Sequence, residues 1–69
     1  MSILSTVDAA RARLITSGIQ PDEAGLDAEV LARHLLGWDR ATYFTARHQE
    51  PDNRFATTYG ALVERRASR

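Results

Sequence analysis

Ile3, Val7, Ala10 and Leu14 recur at i, i+4, i+7 and i+11, which lays four apolar side chains along one face of a helix. Ser5-Thr6-Val7-Asp8 opens that segment with a hydroxyl and a carboxylate three apart, each placed to satisfy an early amide. Gly18 follows as a left-handed stop. The pattern predicts a first helix from about Ser5 to Ser17. Gln20 to Gly25, with Pro21, Asp22 and Gly25, reads as a loop with room for one short extra turn. Asp27 then reads as the N-cap of a second helix, with Leu26 and Leu31 packing across its start. The inner stripe of that helix is Ala28, Leu31 and Leu35, widened by Val30 and Leu36. Gly37 closes it, and Trp38 covers its last turn.

Asp39 can cap a third, short helix reaching Arg47 or His48. Its centre, Ala41-Thr42-Tyr43-Phe44-Thr45, has the composition of a strand. A lone strand would have nothing to pair with in this chain, so a helix is expected. Glu50-Pro51-Asp52-Asn53 is a turn and a new start. Phe55, Tyr59, Leu62 and Val63 form an apolar stripe over a fourth helix that runs to about Arg66. A second row on it, Ala56, Gly60, Val63 and Ala67, is small enough for a neighbouring helix to approach closely. Gly60 in that helix costs about 1 kcal/mol against Ala, which close packing would offset. The fold class is all-α, a small compact bundle of four helices with a fifth short turn as the open variant.

With 69 residues the chain makes one small domain, residues 1–69, and its core is thin. There is no cysteine, so no disulfide or thiolate metal site is available. A hydrophobic share of 43% and a charged share of 26% fit an ordinary globular chain. No apolar run approaches the ~20 residues of a membrane span. The start lacks the basic patch and apolar stretch of a signal peptide, so the expected location is cytoplasmic. All nine basic residues are Arg. Such a set can read phosphates or carboxylates, but the net charge is zero, which favours compositional bias over a nucleic-acid or anionic-membrane surface.

Little in the sequence carries chemistry. His34 and His48 stand fourteen apart on different predicted helices, which gives no metal-ligand spacing. Every Ser lies at a terminus or a predicted helix end, away from any base that could activate it. Without strands there is no glycine-rich cradle for a phosphate or dinucleotide. No catalytic, cofactor or metal residues are assigned, and the chain by itself is not expected to be an enzyme. Ala32 to Arg40 joins two helices through a short Gly-containing turn, as in helix-turn-helix proteins. However, Arg33 occupies the place where the helices would cross, and Asp39 would face phosphate. Charge by segment is −1 for residues 1–26, −1 for 27–50 and +2 for 51–69, so the would-be reading helix is not in a basic stretch.

The run Leu26-Asp27-Ala28-Glu29-Val30-Leu31-Ala32-Arg33-His34-Leu35-Leu36-Gly37-Trp38-Asp39-Arg40 closely resembles L-D-A-E-x-L-L-x-H-x-L-G-x-x-R in the N-terminal domain of the bacterial HemK/PrmC proteins. Ala10 to Ile19 resembles that family's first helix, and Ala61-Leu62-Val63-Glu64-Arg65-Arg66 its closing A-L-V-x-R-R. Three departures stand out: a longer Gln20–Gly25 loop, Ala32 for Leu, and Tyr43-Phe44 for an aliphatic pair. The family methylates the glutamine of the Gly-Gly-Gln loop in class-1 peptide release factors. Its catalytic domain carries a glycine-rich S-adenosylmethionine loop and an Asn-Pro-Pro-Tyr motif, neither of which occurs in this chain. The resemblance therefore implies an isolated domain or a piece ending just before the linker to the catalytic part. No cofactor is expected in it; S-adenosylmethionine would belong to the catalytic domain.

By the same resemblance the bundle would recognise the substrate, with a class-1 release factor and its own catalytic domain as partners, and with neither membrane nor nucleic acid. The polar positions of the matched run, Glu29, His34 and Arg40, are the contact candidates beside the cap Asp27. Arg65 and Arg66 are candidates at the interdomain junction. Each has a structural alternative: Glu29 as solvated surface, His34 as a packed histidine, Arg40 as partner of a helix-terminal carboxylate. Two rival functions remain at this stage, a small helix-turn-helix-like nucleic-acid binder and a helical self-association module. A basic face would favour the first and a contiguous exposed apolar stripe on helix one or four the second.

Overall fold

Helix α1 is laid down by an apolar stripe, and its start is set by two serines. A computed structural model of the chain describes residues 1–68, with α1 spanning Ile3–Thr16. Ser2, not Ser5, is the N-cap: Ser2 Oγ accepts from Ser5 N–H (3.1 Å) and Ser5 Oγ accepts from Ser2 N–H (3.0 Å). This reciprocal cap places Ile3 in the first turn, so the helix begins earlier than the Ser5 start. Ile3, Val7, Ala10 and Leu14 are all buried, as their spacing predicts. Gly18 takes φ 106°, open mainly to glycine. Ile19 N–H donates to Leu14 O (3.1 Å) and Gly18 N–H to Ile15 O (3.0 Å), which satisfies two end carbonyls, with Ile19 buried beyond them.

Helix α2, Pro21–Leu36, departs most from the sequence reading. Gln20–Gly25 is neither a loop nor a separate turn. Pro21 stands at the helix start, where its missing N–H costs nothing, and Asp22 and Glu23 meet the positive end of the helix dipole. Gly25 is tolerated inside because Arg11 crosses above it; a Cβ there would lie 3.2 Å from Arg11 Nε. Asp27 is therefore mid-helix and not a cap, and Leu26 is exposed and makes no staple. The buried stripe is Ala24, Ala28 and Ala32, while Leu31, Leu35 and Leu36 pack partly buried against the core. Three fully covered alanines let a neighbouring helix come close, and the leucines flank that contact. Gly37 (φ 68°) ends the helix, and Trp38 N–H donates to Arg33 O (3.1 Å).

Helix α3, Arg40–Ala46, starts at Asp39 as expected, with Asp39 Oδ1 accepting from Thr42 N–H at 2.7 Å. Tyr43 is its one buried residue. The turn after α3 returns to α1, where Gln49 O and Arg47 O accept from Ile3 and Leu4 N–H (2.9 Å each). Two orphan amides of α1 are satisfied that way. Helix α4, Asn53–Ser68, is capped by Asp52, whose Oδ1 accepts from Phe55 N–H (2.7 Å).

Phe55, Tyr59 and Val63 are buried, and Leu62 is half-buried. Tyr59 O–H donates to Ala28 O at 2.8 Å and stacks on Phe55 at 5.1 Å, tying α4 to α2. The small row of α4 is not covered by a helix. Ala56 and Gly60 are exposed, and a Cβ at Gly60 would meet nothing within 4 Å. The chain is thus an all-α bundle in which α1, α2 and α4 pack on one another, measuring 29 × 23 × 19 Å. No helix among the described residues is long and apolar enough to cross a membrane.

Candidate functional site

Helix α2 buries its alanines, so its other face turns outward. Leu26 (58% exposed) and Val30 (47%) stand one turn apart on that face. A fold this small gains from covering apolar surface, and leaving two branched side chains out forgoes part of that gain. Shallow depressions lie on either side of the pair. One, of about 320 Å³, is lined by Val30, Arg33, His34, Gly37 and Trp38. The other, of about 330 Å³, is lined by Arg11, Pro21, Asp22, Gly25, Leu26, Glu29 and Arg40. Both are open to solvent, as a contact surface is, and not walled like a small-molecule pocket.

Glu29 organises the charge beside this row. Its side chain is only 14% exposed, and its Oε2 lies 3.4 Å from Arg33 Nη1 and 3.5 Å from Arg40 Nε. One carboxylate thus serves two guanidiniums. Arg40 itself is 68% exposed and leans over the Phe44 ring, 5.4 Å from its centroid. Arg47 approaches the same ring to 4.5 Å. The Asp39 carboxyl is held below its ordinary value by the Thr42 amide it accepts from. Burial pushes the Tyr43 phenol up, with the Glu29 charge adding to the effect.

Of the residues singled out from the sequence, Glu29 and Arg40 are brought together directly, and His34 lies exposed in the neighbouring depression. Glu29 is not free solvated surface but a shared partner of two arginines. Arg66 is elsewhere, bound to Asp27 (2.9 Å) and Glu23 (3.4 Å), so it ties α4 to α2. Arg65 is exposed on α4 and makes no ion pair among the described residues. The sequence reading passed over Leu26 and Val30 as surface residues, and over Phe44 and Arg47. Their i, i+4 and i, i+3 spacings were a usable signal once the phase of α2 is known. Among the described residues no three His, Asp or Glu side chains converge as metal ligands.

A family model described as PrmC N-terminal domain matches residues 6–69. The chain belongs to that family. The match runs through all four helices, including α2 with its exposed row and α3 with Arg40 and Phe44. Comparison with curated proteins and with solved structures finds no match.

Proposed function

We propose that this PrmC N-terminal domain is a protein-binding module that recognises a class-1 peptide release factor for the glutamine methyltransferase it belongs to. The observation that carries the reading is the exposed Leu26–Val30 row on α2, bordered by His34 on one side and by Glu29 and Arg40 on the other. An apolar strip with a polar rim is the make-up of a protein contact. A transferase must select one glutamine among many, and contacts far from the reacting atom supply binding energy for that choice. The catalytic step and S-adenosylmethionine belong, on this reading, to the catalytic domain, and the bundle contributes contact area alone.

Nucleic acid fits this surface less well. Arg13 is paired in a bidentate bond with Glu64, Arg66 with Asp27 and Glu23, and Arg33 and Arg40 with Glu29. A phosphate-tracking face would leave such side chains unpaired. The test is calorimetric titration of the domain with its cognate class-1 release factor. Micromolar affinity is expected, weakened about tenfold when Leu26 and Val30 are both changed to Ser, since roughly 1.4 kcal/mol of apolar burial is lost. Unchanged affinity of the Leu26→Ser, Val30→Ser variant would reject this surface.

A further inference from the structure

Arg40, Phe44 and Arg47 stand at i, i+4 and i+7, along one face of α3 and its cap. Phe44 is 43% exposed, in spite of the arginines on either side of it in sequence. The guanidinium carbons lie 5.4 and 4.5 Å from its ring centroid, so the ring orients both cations. Three guanidiniums, Arg33, Arg40 and Arg47, share Glu29 as the one carboxylate in ion-pairing range among the described residues, and Arg47 does not reach it. Arg47 Nε is buried with no hydrogen-bond partner among those residues. Positive charge therefore exceeds negative locally in a domain whose net charge is zero. Elsewhere, Arg13 and Arg66 are matched by carboxylates on neighbouring helices.

We propose that the Arg40–Phe44–Arg47 face docks an acidic segment of the protein partner, whose carboxylates accept hydrogen bonds from the two guanidiniums. This rests on reading the domain as a protein-binding module and names the chemistry it meets. A guanidinium presents a planar fork that matches a carboxylate, and stacking on Phe44 fixes that fork before the partner arrives. Glu29 holds Arg40 from below through one long contact of 3.5 Å, which leaves most of its donors outward. A nucleic acid is disfavoured by the same geometry. The Phe44 ring already carries guanidiniums where a base would stack, and Asp39 at the start of α3 would repel a second phosphate.

The experiment follows binding of the domain to three ligands: a cognate class-1 release factor, a synthetic Glu-rich dodecapeptide and a single-stranded DNA dodecamer. Arg40→Gln, Arg40→Lys, Arg47→Gln and Phe44→Ala variants are compared, each with its melting curve. The peptide should bind weakly, shift the amides of Arg40, Phe44 and Arg47, and be released at ~0.5 M salt, where screening is short-ranged. Arg40→Gln should weaken both peptide and release factor about threefold, the range of an exposed charge pair, and Arg40→Lys less. Arg40 is largely exposed, so its variants report even if Arg47→Gln fails to fold. Equal release-factor affinity in wild type and Arg40→Gln would overturn the acidic-segment proposal and leave the module reading standing. Tighter binding of the DNA than of the peptide would overturn it as well. Absence of release-factor binding by the wild type would reject the module reading, and the peptide arm would then decide this face on its own.

Discussion

Tyr59 joins two roles in one side chain: its ring fills the space between α2 and α4, and its hydroxyl donates to Ala28 O. Tyr59→Phe keeps the ring and removes the bond, leaving a carbonyl that is already within a helix. The expected cost is about 1 kcal/mol in chemical denaturation, the usual net worth of one hydrogen bond. Gly37 and Gly60 separate two meanings of glycine. Gly37 holds φ 68°, so Gly37→Ala should cost about 1 kcal/mol. Gly60 lies in open helix where a Cβ meets nothing, so Gly60→Ala should stabilise by about 0.5–1 kcal/mol. Opposite shifts in melting midpoint check the pair; equal shifts would contradict it. Gly37 was readable from sequence because a helix stop has a local signature. Gly60 was not, since whether a helix covers it depends on packing.

At the scale of the element, a helix was legible where its own residues determined it. The α1 stripe, the Asp39 cap and the Gly18 stop are local, and each stands where the spacing puts it. Helix α2 shows the limit. Pro21, Asp22 and Gly25 look like turn residues in isolation. In the fold they form a first turn, because Ala24 continues the Ala28–Ala32 row and Arg11 shields Gly25. That shift of start changes the phase of reading, so Leu26 and Val30 come out exposed and Leu31 and Leu35 only partly buried. The candidate site was accordingly half legible: Glu29, His34 and Arg40 from the resemblance, the apolar row only from the structure. A consequence can be measured. Leu14 is fully covered, so Leu14→Ala should cost on the order of 2–5 kcal/mol, and Leu35→Ala should cost less. Equal loss of midpoint for the two would contradict this packing.

The whole molecule is small enough for its ionisation to show in its stability. Burial raises both the Tyr43 and the Tyr59 phenols above the ordinary value of about 10. As pH rises through that value, the unfolded chain loses phenol protons before the folded one. The unfolded state then binds fewer protons, so stability falls above about pH 10. A thermal midpoint that drops between pH 9 and 11, less steeply in Tyr59→Phe, is the expected outcome in this alkaline range. With a surface of 4478 Å², a standard contact of about 800 Å² per partner would take roughly a fifth of the domain, so its binding is expected to be micromolar or weaker. The most direct measurement is chemical-shift mapping of the labelled domain with a cognate class-1 release factor. The account predicts shifts centred on Leu26, Val30, His34 and Arg40, spreading to Phe44 on α3. Shifts confined to the groove between α1 and α4, or none at high release-factor concentration, would contradict it.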